Sequence, residues 1–181
     1  MNKEEIKINI IVLRALADAI TRPEVAETVK RFDGKVVNKR FHDALAAAFG
    51  VCAWYHKNEY TAGGYMNLDL REAVPADLRR ACNYNNGVRG VGDGAFLYGE
   101  RLNAAACLSA FADLAKTERE GADKAEQELA RYSEAADEYA ALCKAALAFM
   151  EKWSDSVRYT FRSGRDLYNL ALDARHNAIF A

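Results

Sequence analysis

The sequence predicts an α+β protein, mainly α, and three observations carry that prediction. Alanine is abundant and only two prolines occur in 181 residues. That favours helix, because Ala costs least in a helix interior and Pro about 3 kcal/mol. Apolar side chains recur at helical spacing near the N-terminus and again through a long charged segment after Asn103. Between them, residues 51–70 change to a period of two, the mark of half-buried strands. The expected order is N-terminal helices, a small antiparallel β-hairpin or three-stranded sheet, a long coiled-coil-like helix and a final short helix. The division is an α+β head domain over 1–101 and a helical arm with the C-terminal helix over 102–181.

Ile6, Ile10, Leu13, Ala17 and Ile20 lie on one helical face, which predicts an amphipathic helix over 3–20. Thr21-Arg22-Pro23 ends it, and Pro23 suits the first position of the next helix. Gly34 in "FDGK" is free to take positive φ in a turn. Val37, Phe41, Leu45 and Ala48 give a third helix, with Gly50 as its C-terminal stop. "VCAWYHK" is aromatic and β-branched, and "YMNLDL" alternates Met66, Leu68 and Leu70 against Tyr65, Asn67 and Asp69. With a Gly-Gly turn between them they read as a hairpin. Pro75 opens a short expected helix, "PADLRRACN", and "AFLYGERL" is the expected third strand.

From Asn103 to Trp153 there is no proline and one glycine, and Phe111, Leu114, Tyr132, Tyr139, Cys143 and Met150 keep a 3-4 spacing. Two arrangements fit: a continuous helix roughly 75 Å long, which is favoured, or an antiparallel hairpin bent near "EREGAD". "VRYTFR" (157–162) alternates like a strand and also extends a helical face. Leu167, Leu170, Ala171, Ala174 and Ala178 form the last helix.

Composition limits the functions available. Half the residues are apolar (51%), with eight Phe, nine Tyr and two Trp, enough for a core and against long disorder. The net charge of −1 lacks the basic excess of a general nucleic-acid binder. Cys52, Cys82, Cys107 and Cys143 show no C-x-x-C spacing, so they read as reduced, mostly buried thiols of a cytoplasmic protein. The N-terminus has neither the long apolar run nor the small-residue cleavage site of a secretion signal.

Enzyme motifs are missing. "NYNNGVRGVGDG" holds Gly87, Gly90, Gly92 and Gly94, yet lacks the Gly-Lys-Ser/Thr ending of a phosphate loop. It reads as a structural or partner-contact loop, with Arg89 and Asp93 as its contact residues. His42, His56 and His176 have no metal-ligand spacing and default to exposed or core-satisfied roles. No nucleophile motif occurs. The expectation is therefore no enzyme, no cofactor and no metal.

Two charged segments remain. Residues 118–138 hold eight acids against three bases, among them Glu118, Asp123 and Glu126. Their density reads first as a solvated acidic face, and such a helix can also imitate nucleic-acid charge toward a basic partner. Lys39 and Arg40 form one basic cluster, and Arg158, Arg162 and Arg165 beside Tyr159 and Phe161 another, whose arginines and aromatics suit base stacking with phosphate contacts and strand packing with a polar outer face equally well.

"RFDGKVVNKRFHDALAAAFG", followed by an aromatic hairpin and a long charged helix, resembles small accessory proteins carried by phages and mobile elements of gut Firmicutes. The resemblance is sharpest over residues 32–57 and is one of arrangement elsewhere. It implies an anti-defence role of the anti-CRISPR type, the partner being a type II CRISPR nuclease with its guide RNA. The alternative is a small nucleic-acid-binding protein using the Arg/aromatic segment 157–165. A homodimer through the seam of the long helix is expected as well.

Overall fold

The computed structural model describes residues 2–57, 64–92 and 95–152, with side chains up to residue 145. It is an α+β fold, mainly helical, with one three-stranded antiparallel sheet. Its elements are α1 (Lys3–Ile20), α2 (Pro23–Arg31), α3 (Lys39–Ala48), β1 (Cys52–Lys57), β2 (Gly64–Asp69), α4 (Tyr84–Gly87), β3 (Val88–Val91) and α5 (Ala104–Lys152). A 3₁₀ turn at Arg71–Ala73 follows β2. The chain forms two compact units, Met1–Glu126 and Gln127–Ala181. Among the described residues no helix is long and apolar enough to cross a membrane.

α1 starts with a reciprocal cap. The Asn2 side chain accepts from the Glu5 N–H at 2.8 Å, and the Glu5 carboxylate accepts from the Asn2 N–H at 2.8 Å. Two donors that the first turn leaves unpaired are thereby satisfied. Ile6, Ile8, Ile10, Val12, Leu16, Ala17, Ala19 and Ile20 are all buried, so α1 is covered on more than the one expected stripe. Pro23 is at the first position of α2, as its fixed φ favours. α3 begins at Lys39 because the Asn38 side chain accepts from the Phe41 N–H at 3.3 Å. It ends before Gly50, whose φ of +68° lets the chain turn back.

β2 is the central strand. It pairs with β1 from Cys52↔Asp69 to Lys57↔Gly64 and with β3 from Met66↔Val91 to Asp69↔Val88. Met66, Leu68 and Leu70 are buried, as their alternation predicts. They join one core with Phe41, Leu45, Phe49, Val91, Phe96, Cys107 and Phe111.

Three expectations are corrected. The segment after Pro75 is a run of turns closed by Leu78 N–H to Pro75 O (3.0 Å) and Cys82 N–H to Arg79 O (3.2 Å), and no regular helix forms. Arg79 instead donates to the Val74 carbonyl at 3.2 Å, folding the segment on itself. The third strand is β3, inside the glycine-rich stretch, and not "AFLYGERL". That later segment pairs with residues after Gly34. Val37 N–H donates to Glu100 O at 2.7 Å and Gly99 N–H to Val37 O at 2.8 Å, leaving only an isolated bridge, Val36↔Arg101. Third, of the cysteines only Cys107 is buried, while Cys52 is exposed.

α5 is continuous, with no bend at "EREGAD". In the first unit it buries Ala104, Cys107, Phe111, Ala115, Ala122 and Ala125. Gly121 lies where a Cβ would meet Leu13 at 3.5 Å, so the helix passes close to α1 there. The segments expected at 157–162 and 167–178 lie outside the described residues.

Candidate functional site

In the first unit the acidic residues of α5 are partly engaged. Arg14 of α1 donates to Glu126 at 2.8 Å and pairs with Asp123 at 3.5 Å. Arg119 pairs with Asp18 at 3.5 Å. All these side chains remain substantially exposed, so each pair is worth under about 1 kcal/mol and is weakened by salt. Glu118 is half-buried on the same helix.

In the second unit, none of the described side chains from 127 to 145 is buried. Glu128, Glu134, Asp137 and Glu138 are exposed there against two cations, Arg131 and Lys144. Tyr132 and Leu142 are 42% and 51% exposed.

The basic candidates separate. Lys39 pairs with Asp43 one turn along α3 at 2.6 Å, and its neighbour Arg40 is exposed. Among the described residues no ion pair joins either to the α5 carboxylates. Asp93, Arg158, Arg162 and Arg165 lie outside the described residues.

The glycine-rich stretch resolves into α4 and β3. Asn83 caps α4: its Oδ1 accepts from the N–H groups of Asn85 (2.9 Å) and Asn86 (3.2 Å), and its own N–H donates to Asn86 Oδ1 at 2.7 Å. Arg89 leaves β3 with both terminal nitrogens engaged. Nη1 donates to the Asn85 carbonyl at 3.1 Å, and Nη2 to Asn9 Oδ1 of α1 at 3.0 Å. Glu5, Asn9, Asn83, Asn85, Asn86 and Arg89 line a cleft of about 270 Å³. Of these, sequence reading singled out only Arg89; the asparagine-rich "NYNN" was the available signal, but nothing local brings Asn9 and Glu5 to it.

His42 is 2% exposed and neither ring nitrogen has a hydrogen-bond partner, so it is neither of the two expected histidine types. Its ring stacks on Tyr55 at 3.5 Å with 12° between planes, beside Phe41 (5.5 Å), Phe96 (5.4 Å) and Tyr98 (6.1 Å). Burial in this aromatic cluster lowers its pKa to about 4, opposed by Asp43 and the Asn38 backbone. The ring is therefore neutral at pH 7. The Tyr55 hydroxyl is buried without a partner too, and burial raises its pKa.

On the outward face of the sheet, Trp54 Nε1 donates to His56 Nε2 at 2.6 Å, and the His56 ring stacks on Tyr65 at 5.4 Å. Since Nε2 accepts, the neutral His56 ring carries its proton on Nδ1. Asp69, at the end of β2, is held below the usual carboxylate range by hydrogen bonds from Arg71, one of them 2.8 Å from Nε. Among the described residues no group of three His, Cys, Asp or Glu is placed to hold a metal.

Comparison with known proteins gives no match: no family model fits the chain, and no curated protein or solved structure is similar to it.

Proposed function

We propose that this chain is a non-enzymatic interaction protein that engages a positively charged partner through the carboxylates of α5. The observation that carries the reading is the stretch 127–145, where four acids and the partly exposed Tyr132 and Leu142 occur with no buried side chain. Charge of one sign steers encounter, and an aromatic or aliphatic anchor supplies the contact that holds. The carboxylates nearer the body, Asp123 and Glu126, are shared with Arg14, which shifts the reading toward Glu134, Asp137 and Glu138.

The specific form follows from the resemblance over residues 32–57. The partner is a type II CRISPR nuclease with its guide RNA, and the acidic helix competes for a channel that otherwise takes nucleic acid. Co-purification with several such nucleases, together with a DNA-cleavage assay, tests it. Capture that weakens as salt rises, and is lost in a Glu134→Lys, Asp137→Lys, Glu138→Lys variant that still folds, is the expected result. Undiminished cleavage and no capture across the set removes the CRISPR-directed form. A gel shift with single-stranded DNA that tracks Lys39 and Arg40 substitutions, with capture unaffected by the α5 variant, removes the acidic-helix reading in favour of direct nucleic-acid binding.

A further inference from the structure

The net charge of −1 conceals a separation of charge within the first unit. We propose that the turn joining α2 to α3, together with Arg101, is a surface that binds the phosphate backbone of a nucleic-acid duplex without reading its bases. It stands apart from the reading of α5, whose carboxylates it does not use.

The fold gathers the cations from two segments. Residues 30–43 and 100–101 hold Lys30, Arg31, Lys35, Lys39, Arg40 and Arg101, six cations against the three carboxylates of Asp33, Asp43 and Glu100. Gly34 N–H donates to Leu102 O at 2.9 Å and Leu102 N–H to Lys35 O at 2.9 Å, and the bridge Val36↔Arg101 fixes the register. Arg101 Nη1 donates to the Gly34 carbonyl at 2.6 Å, which ties its guanidinium to the turn. Arg31 and Lys35 share the Phe32 ring, 5.2 and 5.5 Å from its centroid. That ring packs on Phe41 of the core at 5.4 Å, so the two cations stand on a fixed support.

All six cationic residues are exposed. Lys39 pairs with Asp43 at 2.6 Å. Among the described residues the other five form no ion pair. Asp33 gives Oδ1 to the Ala104 N–H at 2.9 Å, at the start of α5. The acidic stretch of α5 begins at Glu118. That is roughly 21 Å along the helix from Ala104, more than two Debye lengths of about 8 Å. The acidic stretch therefore does not cancel the positive potential at the turn.

The chemistry of the patch selects its ligand. Five exposed cations without an internal counter-charge suit a line of phosphates. Phe32 is half-buried and already carries two cations, so it offers no open ring face on which a base could stack. A single strand, whose binders rely on such stacking, gains nothing here over a duplex. A protein partner needs a large buried anchor, a role Val seldom fills. Val36, 47% exposed, is the one exposed large apolar side chain among the described residues of this patch.

The test is fluorescence anisotropy of the full chain with labelled DNA duplexes of two unrelated sequences, over a range of salt. Five phosphate contacts predict that doubling the salt, from about 25 to about 50 mM, weakens binding roughly twentyfold. Both sequences should bind alike. In the variant Lys30→Gln, Lys35→Gln, Arg40→Gln, the same doubling should weaken binding only about threefold to fourfold, with the melting temperature unchanged. Absence of binding at low salt overturns the proposal, as does a salt dependence that the folded triple variant leaves unaltered. A single strand bound more tightly than the duplex overturns it too. Poly-L-glutamate bound as tightly as the duplex overturns it in favour of an acidic protein partner.

Discussion

His42 couples stability to pH. Its folded pKa, about 4, lies below the ordinary value of 6.5 because burial disfavours the charged ring. The unfolded chain therefore binds the extra proton between those values, and stability present above pH 6.5 is lost as the pH falls toward 4. The shift corresponds to about 3 kcal/mol by the lower limit. Denaturant midpoints at neutral pH and near pH 4 measure the loss. A His42→Phe variant, which keeps an aromatic ring in the cluster, should show a shallower decline by about that amount. A decline identical to that of the parent protein would show that His42 does not control it. The sequence left His42 either exposed or core-satisfied, since it falls beside the Val37, Phe41, Leu45 and Ala48 face rather than on it. Its orphaned nitrogens were not legible, because they depend on Tyr55 and Tyr98 from other segments.

Two glycines separate opposite consequences at the scale of a helix. Gly121 is mid-helix in α5 with ordinary φ, and an added methyl would meet Leu13 at ordinary contact distance, 3.5 Å. Gly121→Ala should raise stability by about 0.5–1 kcal/mol, by limiting the unfolded chain and improving helix propensity. Gly50 has φ +68° and the Arg22 guanidinium lies where its Cβ would stand. Gly50→Ala should therefore lower stability by about 1 kcal/mol or more. Thermal melts of the two variants read the opposite signs. The helices α1, α2 and α3 and the hairpin follow from local periodicity and caps. β3 does not, because "VRGV" is four residues with a glycine, and its strand geometry comes from pairing with β2. Likewise the Arg89–Asn9 and Arg14–Glu126 contacts join residues 80 and 112 positions apart, for which local spacing carries no signal.

For the molecule as a whole, the exposed Tyr132 and Leu142 of the second unit motivate self-association. A two-fold dimer is the commonest way for one chain to cover its own apolar surface. Light scattering should give about twice the chain mass of 20.1 kDa, returning to the single mass in Tyr132→Glu, whose carboxylate would be stranded in the interface. A single mass for the parent protein at high concentration counts against the dimer. The same surface is what the proposed partner would use, so self-association and capture should compete.

The thiols divide by access, and that gives the fold a clock. Cys107 is fully buried, and burial pushes its pKa up to about 12, so it holds almost no thiolate at neutral pH. Cys52 is exposed on β1. In a pulse of an alkylating reagent, Cys52 should react within the mixing period, whereas Cys107 should wait for the core around Phe111 and Phe49 to open. Mass spectrometry of the labelled peptides gives each rate. If opening and closing are fast, the slowing of Cys107 relative to the same thiol in denaturant reports the free energy of that opening. One native side chain would then report, without an engineered probe, whether a bound partner tightens the body of the protein.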